Sequence, residues 1–269
     1  MLTTDFVPGT PNWIDLGASD TDAAAEFYTA VFGWTHQPAG PGSGGYGFFL
    51  RDGATVAALG PLTGEGANPA WTPYFHTRDA EATAGAVERA GGAVRVPPMD
   101  VFTAGRMAAF TDPQGAEFAV WQPGDRVGVD AVMEPAALCW TELRTTDAAA
   151  ARDFYRAVLA WQYEDMDMGG TGPYTVVSAP GGGAGGDAGQ GGIVELAALR
   201  GENLPDRPAA AWLPYFGAAD CDATFAAATS HGATPVVVPT DIPGVGRTAV
   251  LEDPAGARFA LITGDPTTP

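Results

Sequence analysis

Near the start of the chain, the order of apolar and polar residues predicts a strand, a helix and a hairpin. Residues 13–16, Trp-Ile-Asp-Leu, are predicted to form a short strand. Asp20 follows in a helix N-cap position, and Gly33 is a typical helix stop. Between them, apolar residues recur at helical spacing: Ala24, Phe27, Tyr28, Val31 and Phe32. Residues 46–50 and 54–59 have the pattern of two strands joined by a turn.

The next stretch repeats this order of elements. A strand is predicted over residues 72–77 and a helix over 80–90, which the pair Gly91-Gly92 ends. Strands follow near residues 93–96, 106–111 and 117–122. The patterns therefore predict two successive β-α-β-β-β units in the first half of the chain.

The second half of the chain repeats the first. Trp13-Ile14-Asp15-Leu16 returns 127 residues later as Trp140-Thr141-Glu142-Leu143. Asp112-Pro113-Gln114-Gly115 returns 141 residues later as Asp253-Pro254-Ala255-Gly256, so the second copy carries a 14-residue insertion. Self-similarity of this kind fixes architecture before any local assignment. We expect an α+β fold of four β-α-β-β-β units.

The repeat divides the 269 residues into two domains. We place the first over residues 8–123, a linker rich in proline and glycine over 124–136, and the second over 137–264. The insertion, residues 180–192, is rich in glycine and is expected to be a flexible loop. The alternative is a lid over a ligand cavity.

Composition and charge argue against several classes of partner and active site. A formal net charge of −19 argues against nucleic acid and anionic membrane surfaces as partners. All 13 basic residues are arginine, which excludes a lysine Schiff base and a Walker-type phosphate loop. Cys139 and Cys221 do not occupy equivalent repeat positions. We therefore expect both to be buried, reduced thiols. With neither a signal-peptide pattern at the start nor an apolar run of membrane-spanning length, a cytoplasmic protein is expected.

The repeated landmarks resemble those of a known family. They are Asp20 with Phe27-Tyr28 and Gly33-Trp34, then Asp112-Pro113-x-Gly115 before Phe118, with a second set at Asp147, Phe154-Tyr155, Trp161, Asp253-Pro254-x-Gly256 and Phe259. This order is similar to the vicinal oxygen chelate superfamily of glyoxalase I, bleomycin- and fosfomycin-resistance proteins and extradiol dioxygenases. Its tandem-domain actinobacterial branch is the nearest in pattern. The resemblance implies glyoxalase-like domains whose curved sheets enclose cavities, usually with a divalent metal on the floor.

The resemblance also places the family's metal ligands at defined positions of this chain. They fall on Trp13, Trp140, Thr72, Leu213, Ala119 and Ala260, none of which can bind such an ion. Glu195 is the single surviving candidate, and His36, His76 and His231 show no ligand spacing. We therefore expect no metal and no other cofactor, in contrast to glyoxalase I and the dioxygenases.

Strand alternation predicts what faces the cavities instead, because alternate residues share a face. The expected ligand-contacting residues are Trp13, Tyr46, Phe48, Thr72, Tyr74, Trp121, Trp140, Tyr174, Leu213 and Tyr215. Asp15, Glu142 and His76 are the candidate acid–base residues.

Each of these assignments has a structural alternative. Both tryptophans of the first strands could plug the cavities rather than stack on a ligand. The acids could be paired with arginines, and His76 could be structural. Arg106 and Arg247, which recur beside glycine, are expected to anchor loops rather than bind anions.

The first hypothesis is a metal-independent binding protein for a small hydrophobic or aromatic molecule, such as a natural product bound for self-resistance or for biosynthesis. The alternatives are a metal-free isomerase, cyclase or lyase, and a metal-dependent lyase or dioxygenase of the same superfamily. The chain is expected to be a monomer, as a pseudo-dimer by duplication, or a homodimer. Two pairings of the four units are possible: first with second and third with fourth, or first with fourth and second with third.

Overall fold

The computed structural model describes residues 1–64, 67–167, 173–180, 189–199 and 210–265. Most of the glycine-rich insertion lies outside these ranges. No helix in them is both long and apolar enough to cross a membrane.

The described residues of the first half contain eight strands and two helices, in the predicted order of β-α-β-β-β units. They are β1 (Pro11–Ala18), α1 (Thr21–Phe32), β2 (Thr35–Pro38), β3 (Gly47–Arg51), β4 (Ala54–Pro61), β5 (Ala70–His76), α2 (Ala80–Arg89), β6 (Ala93–Val101), β7 (Gly105–Thr111) and β8 (Glu117–Pro123). The strand order in the sheet is β2-β3-β4-β1-β5-β8-β7-β6.

The second half repeats this arrangement. Its elements are β9 (Leu138–Thr145), α3 (Ala148–Leu159), β10 (Gln162–Asp167), β11 (Pro173–Ser178), β12 (Gly191–Glu195), β13 (Ala211–Gly217), α4 (Cys221–Ser230), β14 (Thr234–Ile242), β15 (Gly246–Glu252) and β16 (Arg258–Gly264). Their order in the second sheet is β10-β11-β12-β9-β13-β16-β15-β14. Two open eight-stranded sheets with four helices confirm the α+β fold of four repeated units.

Each helix begins at an aspartate, because a short carboxylate can accept a hydrogen bond from an unpaired amide of the first turn. The caps are Asp20, Asp79, Asp147 and Asp220, each of which accepts from the amide three residues later. The predicted cap and stop of α1 are confirmed: Gly33 is in the left-handed conformation at φ 70°.

The sequence patterns located most strands but missed or misjudged two features. β2 was not predicted, because its four residues, Thr-His-Gln-Pro, have no apolar alternation. The expectation of a flexible loop was wrong for the end of the insertion. Gly191 and Gly192 belong to β12 and pair with Thr141 and Glu142 of β9. A glycine is used there because Tyr174 lies against the backbone: a Cβ on Gly192 would meet its hydroxyl at 2.0 Å.

The chain forms two compact units that each draw on both halves. The first unit comprises Met1–Trp13, Thr72–Gly128 and Trp140–Trp212. Helices α2 and α3 pack together in it, over a core that includes Phe75, Phe118 and Tyr155. Trp161 donates a hydrogen bond of 2.8 Å to the carbonyl of Gly9.

The second unit comprises Ile14–Trp71, Val129–Cys139 and Leu213–Pro269. Here α1 packs on α4, and Trp34 donates to the carbonyl of Ala136 at 2.9 Å. Helix packing therefore joins the first β-α-β-β-β unit with the fourth and the second with the third. Of the two pairings left open by the sequence, the exchanged one is observed.

Both cysteines are free. Cys221 is buried, whereas Cys139 is only half-buried, which corrects the expectation for that residue. Burial raises the pKa of each thiol to about 11, so both are protonated and unreactive near neutral pH.

Candidate ligand-binding site

Two indoles form the centre of an aromatic group in the first compact unit. The rings of Trp13 on β1 and Trp121 on β8 are stacked with centroids 6.5 Å apart and an interplanar angle of 23°. Both side chains are buried. Arg126, in the predicted linker, places its guanidinium 5.6 Å from the centre of the Trp13 ring. Its backbone carbonyl accepts a 2.8 Å hydrogen bond from the indole of Trp121. The guanidinium and the indole face attract each other electrostatically.

Three predicted residues of β5 lie on the same face as Trp121. Phe75 points into the helix-side core, so Thr72, Tyr74 and His76 point the other way. In the register of β5 with β8, His76 pairs with Trp121 and Tyr74 with Ala119. Thr72 and His76 are half-buried and Tyr74 is buried. The structure thus brings His76 next to Trp121.

Burial keeps the imidazole of His76 neutral. Its pKa is lowered first by burial and then by the nearby Arg78, against the opposing hydrogen bond of the Val7 backbone. A neutral imidazole is compatible with an aromatic surface, because it adds no charge that would need solvation.

A chain of three hydrogen bonds links four residues of the second copy, also within the first compact unit. The indole of Trp140 donates to the hydroxyl of Tyr174 at 2.8 Å. That hydroxyl donates to Oε2 of Glu142 at 3.1 Å. Oε1 of Glu142 accepts from Nε of Arg144 at 2.9 Å. All four residues are buried or half-buried, so the chain orients an indole, a phenol and a carboxylate at one site.

Glu142 and Arg144 form a buried ion pair. The exposed fraction of each side chain is 6%. The two residues are separated by one position on β9 and therefore share a face. The guanidinium compensates the carboxylate's charge, which is the pairing that the structural alternative for Glu142 predicts. Repeat alignment puts Gly17 at the first-copy position of Arg144, so this pair belongs to the second copy alone.

The first copy has the same contact between a tyrosine and a carboxylate, within the second compact unit. Tyr46 donates to Oδ2 of Asp15 at 3.0 Å. The ring of Tyr46 meets that of Phe48 edge-on, with centroids 6.1 Å apart. Asp15 pairs with Ala58, and Glu142 pairs with Gly192, in equivalent registers. The repeat therefore preserves a phenol-to-carboxylate hydrogen bond in both copies.

The remaining predicted contacts, Leu213 and Tyr215, lie on β13 in the second compact unit. Leu213 belongs to a small apolar cluster with Val250 and Ala260, and Tyr215 packs against it. The counterpart positions in the first copy hold Thr72, Ala109 and Ala119, with Tyr74 in place of Tyr215.

The residues at the family's metal positions do not fit a metal ion. Ala119 and Ala260 pair with Tyr74 and Tyr215, and neither alanine offers a donor atom. Glu195 is exposed and accepts from the amide of Ala148 at the start of α3. The described residues contain no cluster of three or more His, Cys, Asp or Glu side chains placed to hold an ion. Glu142 could otherwise have served as a metal ligand, but the guanidinium of Arg144 already supplies the positive charge beside its carboxylate.

Arg106 and Arg247 form equivalent surface anchors. Arg106 of β7 binds Asp100 of β6 at 2.7 Å and also Glu81 of α2. Arg247 of β15 binds Asp241 of β14 at 3.0 Å, and it also pairs with the first-turn acid of α4, Asp222. Each arginine ties a helix to a hairpin, which confirms that both are anchoring residues.

Two contributors to the site, Arg144 and Arg126, were missed in the sequence. Arg144 could have been found, because alternation from Glu142 places it on the same strand face. Arg126 had no such signal, because its position over Trp13 depends on how the segment after β8 folds back.

Comparison with known proteins gives the chain's relatives. The family model described as "Glyoxalase/Bleomycin resistance protein/Dioxygenase superfamily" matches residues 10–120 and 137–261. The anthracycline biosynthesis protein DnrV of Streptomyces peucetius is 41% identical over 275 residues, covering 96% of this chain and 94% of DnrV. CFP32 of Mycobacterium tuberculosis, which carries a provisional glyoxylase name, is 38% identical over 264 residues, covering 96% of each chain.

Among solved structures, the 2,3-dioxygenase LapB from Pseudomonas sp. KL28 superposes with a TM-score of 0.64 at 14% identity, over 96% of this chain and 94% of LapB. A Mn(II)-bound glyoxalase from Novosphingobium aromaticivorans gives 0.61 at 17% identity, over 95% of this chain and 83% of that one. At these identities the likeness shows a common fold and carries no information on chemistry.

Proposed function

The chain belongs to the Glyoxalase/Bleomycin resistance protein/Dioxygenase superfamily, and on this premise we propose that it binds a planar aromatic natural product without a metal ion. The observation that carries the proposal is the stacked pair Trp13–Trp121. Trp13 occupies a position where the family resemblance places a metal ligand. Indoles offer a large, rigid, apolar surface with one polar handle, which suits a flat molecule with few polar groups.

A phenol–carboxylate contact in each copy supports the same ligand class. Tyr46 with Asp15 and Tyr174 with Glu142 are phenol–carboxylate pairs to which a ligand's hydroxyl or carbonyl groups can form hydrogen bonds. DnrV is named for anthracycline biosynthesis, and anthracyclines are fused-ring aromatic compounds. The proposed role is therefore an accessory to the biosynthesis of such a compound, or protection against it.

Titration with 1,8-dihydroxyanthraquinone, a planar three-ring probe, tests the proposal. We expect saturable heat of binding in isothermal titration calorimetry, with the same affinity before and after dialysis against EDTA. The Trp13→Leu variant is expected to bind at least ten-fold more weakly, because it loses the stacking surface. Arg95→Gln is the control, because Arg95 forms only a surface ion pair with Glu117. Absence of binding, or binding restored by stoichiometric metal alone, would refute the proposal.

A second candidate function is a metal-free isomerase, cyclase or lyase. The observation in its favour is the phenol–carboxylate hydrogen bond preserved in both copies, since a carboxylate next to a bound ligand can remove a proton from carbon and return it elsewhere. Glu142→Gln and Asp15→Asn distinguish this function from binding alone. Loss of turnover with unchanged probe affinity supports catalysis, whereas a protein without turnover on any bound aromatic ketone is a binding protein.

A further inference from the structure

We infer that the aromatic ligand is held by the first copy only, along a row of four side chains that crosses β5, β8, β7 and β6, and that it is a molecule of three or four fused rings. The row consists of His76, Trp121, Met107 and Met99. This inference rests on the proposed function and adds to it the copy that binds and the size of the ligand.

Strand register places these four side chains side by side. His76 is paired with Trp121 across β5 and β8. Trp121 is paired with Met107 across β8 and β7, and Met107 with Met99 across β7 and β6. Residues that are directly paired across strands share a face, so the row is continuous over four strands.

The row lies on the face opposite the helix. The neighbours of its members along the strands, Phe75, Val120 and Ala108, are fully buried in the core that contains α2 residues. Arg106, next to Met107 in β7, binds Glu81 of α2. It also binds Asp100, which is next to Met99 in β6. Both charged side chains therefore lie on the helix side of the sheet, opposite the row. Met99 itself is 49% exposed, so the outer end of the row is open to a ligand.

The chemistry of the row suits a flat aromatic molecule. Methionine side chains adapt to an aromatic face and make favourable sulfur–ring contacts. Trp121 lies across the backbone of Gly105, where an added Cβ would meet the indole at 2.6 Å. Glycine at this position therefore lets the indole lie along the sheet. Trp13, stacked on Trp121, with Arg126 over its ring, adds a further aromatic surface beside the row.

The length of the row sets the size of the ligand. Neighbouring strands lie roughly 4.8 Å apart, so four strands place the outer side chains about 14 Å from each other. A linear system of three or four fused six-membered rings has this length, whereas one or two rings would contact only half of the row.

At the same strand positions, the described residues of the second copy do not form an equivalent surface. Its row at the same strand positions is Gly217, Ile262, Thr248 and Thr240. Two threonines replace the two methionines, isoleucine replaces Trp121, and glycine replaces His76. Because this row offers neither a ring nor a sulfur atom, it has little to stack on an aromatic ligand.

Calorimetric titration tests the inference on the full chain. With 1,8-dihydroxyanthraquinone we expect one binding site per chain and at least ten-fold weaker binding of 1,4-naphthoquinone, which has two rings. Met107→Thr and Met99→Thr each install the residue found in the second copy, and each is expected to weaken binding of the three-ring probe about ten-fold. Thr248→Val, at the position equivalent to Met107, is the matched control and is expected to leave affinity unchanged. Met99 is half-exposed, so its variant tests the row without risk to the core.

The outcomes separate this inference from the function on which it rests. If the natural chain binds neither probe, the proposed function fails. If it binds the three-ring probe, the function stands, and two further results would overturn the inference. One is a stoichiometry of two per chain; the other is unchanged affinity in both methionine variants. Weaker binding in Thr248→Val than in Met107→Thr would place the ligand in the second copy and would also overturn it.

Discussion

The hydroxyl of Tyr155 donates a 3.1 Å hydrogen bond to Oδ2 of Asp112 in the buried core of the first compact unit. Tyr155 lies on the first helix of the second copy, and Asp112 opens the Asp-Pro-x-Gly turn of the first copy. The other oxygen, Oδ1, accepts from the amides of Gln114 and Ala116 and so shapes the turn. Tyr28 and Asp253 repeat the contact at 3.1 Å in the second unit. The family's helix tyrosine and turn aspartate thus join the two halves of the chain.

Removing the Tyr155 hydroxyl should destabilise the protein. Burial raises the pKa of Asp112, against the hydrogen bonds it accepts, so this carboxyl depends on its partners. Tyr155→Phe leaves Oδ2 without this donor, and we expect the free energy of unfolding to fall by about 1–3 kcal/mol in urea titration. Tyr28→Phe should give a loss of similar size. A loss within about 0.5 kcal/mol, typical of surface substitutions, would contradict the interpretation.

Stability should depend on pH through His76. Its pKa is lowered in the folded protein, while the unfolded chain takes up the proton at about 6.5. The unfolded state therefore binds more protons below that pH, so stability is retained above about pH 6.5 and falls as the pH drops below it. His76→Gln removes this pH-dependent contribution to the free energy of unfolding. Urea titrations at several pH values should show that the free energy of unfolding falls more steeply with decreasing pH for the natural chain than for the variant. Parallel plots of this free energy against pH would contradict the prediction.

The ion pair of Arg144 with Glu142 should show strong coupling. Arg144→Met leaves a buried carboxylate without its countercharge, and we expect a loss of about 3–5 kcal/mol in unfolding free energy. Adding Glu142→Gln to this variant should recover part of the loss, because no buried charge then remains unpaired. A double-mutant cycle measures the coupling. Additive effects of the two substitutions would show that the pair is not stabilised as the structure indicates.

Phe102 stores backbone strain at the tip of the β6–β7 hairpin. Its φ is 50°, and its side chain is 79% exposed, so little packing offsets the left-handed conformation. Phe102→Asn should raise the unfolding free energy by about 1 kcal/mol, because asparagine tolerates this conformation. Val238 is also exposed, at 61%, but lies within β14 and has no positive φ. Val238→Asn should bring no gain; an equal gain at both sites would point to surface polarity instead of strain.

Local features of the fold could be predicted because they depend on residues close in sequence. The helix begun by Asp20 and ended by Gly33 is an example, and so is the shared face of Trp13 and Asp15. β2 could not be predicted, because its four residues have no apolar alternation of their own. They form a strand by pairing with β3. The bond from Tyr174 to Glu142 joins residues 32 positions apart and has no local signature.

Periodicity and residue identity are enough to predict the four repeated units and the residue types at the metal-ligand positions that the resemblance implies in both copies. The contacts of Tyr155 with Asp112 and of Tyr28 with Asp253 follow only from the folded chain, since both pairings of the units satisfy the same local patterns. The tertiary structure also decided that Met99, Met107, Trp121 and His76 form one row. That row depends on the register of four strands, and register is set by pairing across the sheet.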